Sequence, residues 1–410
     1  MPPPDATSPT LGLTLPERTR DKLIRGGIDP TAYPTRPQKP QFLDEVYKIR
    51  GEPWEHDDRG KYADPEKKAL FGAATKVTHL ARHIGTELEG VQLSKLTGQQ
   101  KDELALLIAE RSVVFLRDQD ITPPEQLALG AYYGVVEVHP QVPQVPGNPG
   151  VTVMWPDLAI AEGRNANFRQ PGGASGWHTD LVHELQPAGV THLHNDTVPE
   201  YGGDTLWASG YSAYDKLSPE FRKIIDGKLG VFRSAHPYLD RDHPEAGPKY
   251  LERVHPIVRV HPVTGWKSLF VNRAMTVRIL GFDKAESDLI LNYLYDVYER
   301  NVDIQCRFKW TPGASALCRT TVSPSISQAG ITKARKRGTA LASPLSLRNR
   351  TSTRTLSLAA KRLVSILLRV GRVARARTKG RLRLEHRSVD KGCAVVDWPE
   401  RHVSNNVLYR

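Results

Sequence analysis

Apolar residues recur along the chain at helical spacing in some stretches and fall into short runs bounded by charge in others. Residues 99–110 carry Leu104, Leu107 and Ile108 with Ala105 between them, which predicts an amphipathic helix. Val113-Val114-Phe115-Leu116 is a short apolar run closed by Arg117 and Asp118, read as a buried strand. Residues 123–133 predict a second helix, with Pro124 and Glu125 in its first turn. Residues 189–195 read as a strand on which Val190, His192 and His194 alternate. Ser218-Pro219-Glu220-Phe221 has the order of a helix start, an N-cap serine followed by proline. The polar segment 237–250 reads as a loop, and 255–258 and 268–272 as strands. Residues 284–298 predict a helix with Leu289, Leu291, Leu294 and Val297 on or near one face. Residues 305–310 alternate as a strand, and Thr311-Pro312-Gly313 turns out of it. Before all this, residues 1–74 are Pro-rich and polar. Pro30, Pro34, Pro37 and Pro40 come too densely for helices or central strands. That segment reads as an extended, surface-hugging or disordered arm with short ordered pieces around 42–49 and 65–71; covering an active site is its lesser alternative.

A chain of 410 residues can bury a large core, and its 39% hydrophobic and 7% aromatic content is ordinary for a soluble globular protein. There is no apolar run long enough for a transmembrane helix. The start, Met1-Pro2-Pro3-Pro4-Asp5, resembles no secretory signal, so a cytoplasmic location is expected. Cys306, Cys318 and Cys393 have neither metal-type spacing nor a disulfide framework. The formal net charge of +12 is unevenly placed: Cys318 to Arg410 holds 21 Lys+Arg against 4 Asp+Glu, so the rest of the chain is mildly acidic. No acidic residue occurs between Asp303 and Glu385.

His178 and Asp180 stand two residues apart. On an extended strand such residues point to the same side, so both can face one ion with Thr179 turned away. The 2-His-1-carboxylate triad of non-heme Fe(II) oxygenases needs one further histidine and keeps its opposite face open. A His-x-Asp pair near a turn is common without any metal, so its surroundings decide. His183, His192 and His194 are the nearby histidines that could supply the third ligand.

Gly176-Trp177-His178-Thr179-Asp180 is followed by Gly203-Asp204-Thr205-Leu206-Trp207-Ala208-Ser209. Together with residues 113–119, Val138-His139-Pro140, His261-Pro262-Val263-Thr264-Gly265 and Leu269-Phe270-Val271-Asn272, these blocks resemble the Fe(II)/2-oxoglutarate dioxygenases of the taurine dioxygenase (TauD/TfdA) family, in its fungal form. They keep the family's order from about Ile84 to Leu317. The resemblance implies an α+β fold, a double-stranded β-helix (jelly-roll) dioxygenase core with flanking helices, here with an irregular C-terminal tail. It implies Fe(II), 2-oxoglutarate as co-substrate and O2. His178 and Asp180 are then the catalytic metal ligands, Thr205 a contact to a 2-oxoglutarate carboxylate, and His139 a contact to the anionic head group of the substrate. The third ligand is implied far beyond His194. The implied reaction hydroxylates the carbon beside a sulfonate or a related small anionic group and releases sulfite, succinate and CO2. A family tyrosine that also contacts the substrate corresponds to Val142, which speaks against taurine itself.

The resemblance stops at Leu317. The family continues with Trp-Asp-Asn-Arg, the distal histidine and later an Arg-His-Gly-x-Arg element whose arginines grip carboxylate and sulfonate oxygens. This chain continues Cys318-Arg319-Thr320-Thr321-Val322-Ser323-Pro324-Ser325-Ile326. Joining the third base of each codon from Arg319 onward to the first two bases of the next lets Thr320 become Asp, Thr321 Asn, Val322 Arg and Ile326 His. The same frame admits Arg-His-Gly-x-Arg between Gly338 and Pro344. The division expected is therefore an arm (1–74), a dioxygenase domain truncated at its last strands (75–317), and a basic tail (318–410) that is out of frame or disordered. Such a chain lacks the distal histidine and the 2-oxoglutarate arginine, and is expected to bind iron weakly and turn over little. The alternative is a non-catalytic relative with a basic tail for nucleic acid or membrane, 356–373 being an amphipathic helix. The tail has no aromatic residue before Trp398, so the expected partner is a small anionic substrate, without membrane or nucleic acid; a homo-oligomer stays open.

Overall fold

Capping chemistry sets the helix boundaries that position the site. Thr97 and Gln100 exchange side chain-to-backbone hydrogen bonds (3.2 and 2.9 Å) at the start of one helix, and Asp283 and Glu286 form the same box at another. In this computed structural model the described residues are 10–37, 41–49, 55–163, 176–200, 202–319 and 407–409. The helices are α1 (Glu17–Arg25), α2 (Leu43–Ile49), α3 (Lys68–Ala73), α4 (Gly98–Arg111), α5 (Pro123–Tyr133), α6 (Pro156–Ala161), α7 (Gly210–Asp215), α8 (Pro219–Ile225) and α9 (Lys284–Arg300). The first strands are β1 (Lys76–His79), β2 (Thr86–Glu89), β3 (Val113–Leu116), β4 (Gln144–Val145), β5 (Asn148–Thr152), β6 (Val190–Asn195) and β7 (Thr205–Ala208). Then come β8 (Leu229–Tyr238), β9 (Lys249–Pro256), β10 (Val258–Val260), β11 (Lys267–Leu269), β12 (Thr276–Ile279), β13 (Gln305–Phe308), β14 (Ala314–Arg319) and β15 (Val407–Tyr409). Among the described residues no helix is long and apolar enough to cross a membrane. The amphipathic stretch 356–373 and nearly all of the basic tail lie outside the described residues.

The largest sheet has the order β1-β2-β3-β14-β6-β15, with only β2 and β3 parallel. Its two faces bury different side chains, as the period of two along a strand requires. Val114, Leu116 and Leu317 join a cluster with Leu104, Leu107 and Ile108 of α4. Val113, Phe115, Ala316 and Cys318 face the other way, into a cluster with Trp207, Phe308 and Trp310. That second cluster is roofed by the β7–β13 pair, in which Thr205 opposes Phe308 and Trp207 opposes Cys306. Gly313, at φ 79° between β13 and β14, takes the left-handed turn that glycine adopts without cost.

The structure corrects three expectations. The arm is not extended throughout: α1 forms within it and buries Lys22 and Leu23. The polar segment 237–250 is shorter as a loop, because β8 runs to Tyr238 and β9 begins at Lys249; the register shift between Arg233 and Pro237 is what admits a proline. Leu289 is 60% exposed while Leu291, Leu294 and Val297 are buried, so the core stripe of α9 is narrower than its apolar content.

Lys22 is held by a buried polar chain. Its ammonium pairs with Asp196 at the end of β6, with side chains 4% and 10% exposed. His194 Nε2 lies 3.3 Å from the same carboxylate, and its Nδ1 lies 2.9 Å from Ser315 Oγ, which also meets His192 Nε2 at 3.0 Å. Burial, reinforced by the Lys22 charge, holds His194 down at about 4. Burial depresses His192 as well, with the His194 charge adding to it. Both rings are therefore neutral in the fold, whereas in an unfolded chain they titrate near 6.5. The unfolded chain takes up protons that the fold excludes, so this stability is complete above pH 6.5 and is lost as pH falls toward 4. The melting temperature should drop across that window, and His194→Gln should flatten the drop; a flat wild-type profile contradicts the assignment.

Candidate active site

His178 and Asp180 share one side of an extended segment. Trp177 and Thr179 alternate with them and are 6% and 4% exposed, whereas His178 and Asp180 each keep 31% of the side chain exposed. The segment ends sharply, since Leu181 has φ 47°, a left-handed conformation that branched side chains resist. His178 Nε2 and Asp180 Oδ1 are 3.5 Å apart. Two such donors at about 2.1 Å from one ion at a right angle would sit about 3 Å apart, so this spacing needs only a small adjustment. His178 Nδ1 lies 2.8 Å from the Gly176 carbonyl oxygen, which can only accept. Nδ1 therefore carries the proton and donates, and in the neutral ring Nε2 presents its lone pair toward Asp180. Burial depresses the His178 pKa, but the Asp180 carboxylate and the Gly176 carbonyl outweigh it and the net direction is up. Two donors thus fit a metal; among the described residues no third His, Cys, Asp or Glu completes a group with them.

The Asp180 charge is felt at Cys318 on the inner face of the large sheet. The Cys318 thiol is pushed up to about 12, first by burial and then by the Asp180 charge. Cys318 belongs to the aromatic cluster in which Phe115 stacks on Phe308 at 4.0 Å and meets Trp207 edge-on at 5.0 Å. Thr205 lines that cluster from β7. It is 2% exposed, and Trp310 Nε1 donates to its Oγ1 at 2.9 Å. The accepted bond orients the hydroxyl and leaves its own proton to be donated. Thr205→Val removes the acceptor and leaves the indole N–H buried and unsatisfied. It should cost about 1–3 kcal/mol in urea denaturation, with Thr205→Ser close to wild type. An unchanged Thr205→Val midpoint would show that the indole bond is immaterial.

His139 packs against β8. The Gln141 backbone N–H donates to its Nδ1 at 3.1 Å, so the neutral ring is protonated at Nε2, and the ring lies edge-on to His236 of β8 at 5.4 Å. His192 and His194 turn toward Ser315, onto the α4 side of the sheet and away from Cys318. Sequence reasoning did not find the roles of Trp310 and Cys318. The alternation through 305–310 could have placed Trp310 beside the inward-facing Phe308, but nothing local joins Cys318 to Asp180.

Comparisons with known proteins converge on one family. A family model described as "Taurine catabolism dioxygenase TauD, TfdA family" matches residues 76–318. The chain is 37% identical over 291 residues to the "Alpha-ketoglutarate-dependent dioxygenase cnsM" of Penicillium expansum, covering 68% of this chain and 80% of that one. It is 32% identical over 320 residues to the "Alpha-ketoglutarate-dependent sulfonate dioxygenase" of Saccharomyces cerevisiae, covering 75% and 74%. Among solved structures it resembles a taurine dioxygenase from Burkholderia xenovorans, with a TM-score of 0.52 and 33% identity over 61% of this chain and 82% of that one.

Proposed function

Since the chain belongs to the TauD, TfdA family of alpha-ketoglutarate-dependent dioxygenases, with their jelly-roll fold, we propose that it is built to hydroxylate the carbon beside a sulfonate or sulfate-type group. His178 and Asp180 are the proposed Fe(II) ligands. The observation that carries this reading is their 3.5 Å convergence with Nδ1 of His178 tied back to Gly176. Fe(II), when bound, supplies the redox chemistry that couples decarboxylation of 2-oxoglutarate by O2 to substrate hydroxylation. The chain's own residues bind and orient. Thr205, aimed by Trp310, donates to a 2-oxoglutarate carboxylate. His139 donates from Nε2 to the anionic head group. The Phe115, Trp207 and Phe308 rings keep water from that interior. Hydroxylation of R-CH2-SO3⁻ gives R-CH(OH)-SO3⁻, which breaks its C–S bond to leave an aldehyde, sulfite and a proton, alongside succinate and CO2.

The same reading makes 75–317 the dioxygenase domain and the residues beyond it a tail that the family does not share. The end of the family match at residue 318 supports this, as does the loss of acidic residues between Asp303 and Glu385. The chain as written is then impaired. The test is to express the chain with its codons from 319 onward re-read in the shifted frame, and to measure succinate and sulfite release with alkylsulfonates and sulfate esters. Succinate release coupled to a sulfonate supports the reading; release with none of these anions overturns it.

A further inference from the structure

A cavity of about 440 Å³ lies on the α4 side of the large sheet, the face away from Cys318. The alternation along β14 places it there. Cys318 joins the aromatic cluster, Leu317 joins the α4 cluster, and Arg319, two residues on from Leu317, follows it. Arg319 pairs with Asp58 at 2.7 Å on the cavity wall. That volume is within the range of about 300–1,000 Å³ typical of small-molecule sites.

Among the described residues, one wall residue is a cation without a carboxylate partner and another is a buried donor without an acceptor. Arg259 lies over the Phe270 ring at 4.8 Å, and the charge it feels is another cation, Arg319. Among the described residues no carboxylate pairs with Arg259, whereas Arg59, Arg117, Arg273 and Arg307 all have one. His261 is 5% exposed, and its Nδ1 accepts from the Val263 and Thr264 backbone N–H groups at 3.1 and 3.3 Å. Its proton is therefore on Nε2, which has no hydrogen-bond partner and stands 4.0 Å from Asp58. A half-buried guanidinium with no carboxylate beside it among the described residues, and a buried imidazole N–H with no acceptor, call for a group that only accepts. The Phe270 ring, Pro256 and Val260 supply apolar wall beside them.

We propose that this cavity is a second ligand site, separate from the candidate metal site, that binds the oxyanion group of a small organic acid through Arg259 and His261. The claim does not rest on the iron reading. Sulfonates and carboxylates share the required chemistry, so the full chain, kept metal-free with chelator, is titrated calorimetrically with hexanesulfonate, hexanoate and inorganic sulfate. Saturable binding of at least one organic anion is expected, at least tenfold tighter than sulfate. Arg259→Gln should weaken it tenfold or more, and Asp180→Asn should leave it unchanged. Because Arg259 is in no ion pair among the described residues, the ligand-free Arg259→Gln protein should melt no lower than wild type. Four results overturn the proposal: no organic anion binds, sulfate binds equally well, Arg259→Gln binds as wild type does, or Arg259→Gln alone lowers the melting temperature by several degrees. His261→Gln, expected to weaken the same anion, repeats the test at a second donor; unchanged affinity there counts against the site.

Discussion

Re-reading the codons after residue 318 in the shifted frame will turn a protein with little or no turnover into one that releases succinate from 2-oxoglutarate. The gain should be well beyond the roughly 10–100-fold that loss of a ligand's hydrogen-bonding partner costs, because a whole metal ligand is restored. The as-written chain offers one imidazole and one carboxylate, and no third ligand joins them among the described residues. On the proposed reading it also lacks the family's paired arginines, which no lysine or backbone group replaces at bidentate geometry. Both deficits are predicted to vanish together in the re-read chain. Asp180→Asn in that chain should return turnover to background. Equal succinate release from the two chains would remove the frame argument and the claim of impairment with it.

Asp196→Ala will destabilise the fold by about 3–5 kcal/mol, the range expected when one member of a buried ion pair is removed and the other charge stays buried. That is a large part of the about 5–15 kcal/mol that holds a typical domain together. Lys22 lies on α1 and its side chain is 4% exposed. Burial already lowers its pKa, the Asp196 charge resisting, so the lysine can relieve part of the cost by losing its proton. His194 loses its carboxylate neighbour in the same step. The double variant Lys22→Met/Asp196→Leu removes both charges and should recover most of the loss, since apolar replacement of a buried pair is often neutral. Urea denaturation reads the size of the effect, and proteolysis within residues 10–37 reports release of α1. A single-variant loss below about 1 kcal/mol, or a double variant no better than the single, would show that the pair does not anchor the arm.

Local chemistry made much of this molecule readable. The helices at 98–111, 123–133 and 284–300 carry their own caps and apolar spacing, and β3 is a buried run whose four residues are all inside. The convergence of His178 and Asp180 follows from a period of two. What was not readable depends on distance in sequence. Lys22 looks like a surface lysine in a proline-rich arm until Asp196, 174 positions later, is placed beside it. Pro237 reads as a loop residue because the bulge that accommodates it is a property of the β8–β9 pair. Arg259 and His261 stand in an ordinary polar strand and turn, and the lone cation and the unmet donor appear only when Phe270, Arg319 and Asp58 close around them.

The most direct test of the proposed metal site is Mn(II) binding to the full chain under anaerobic conditions, followed by electron paramagnetic resonance, in wild type and in His178→Gln and Asp180→Asn. The account predicts weak binding in wild type, as expected of a site a ligand short, and its loss in each variant. Binding that survives both substitutions would place the metal elsewhere and contradict the assignment of His178 and Asp180.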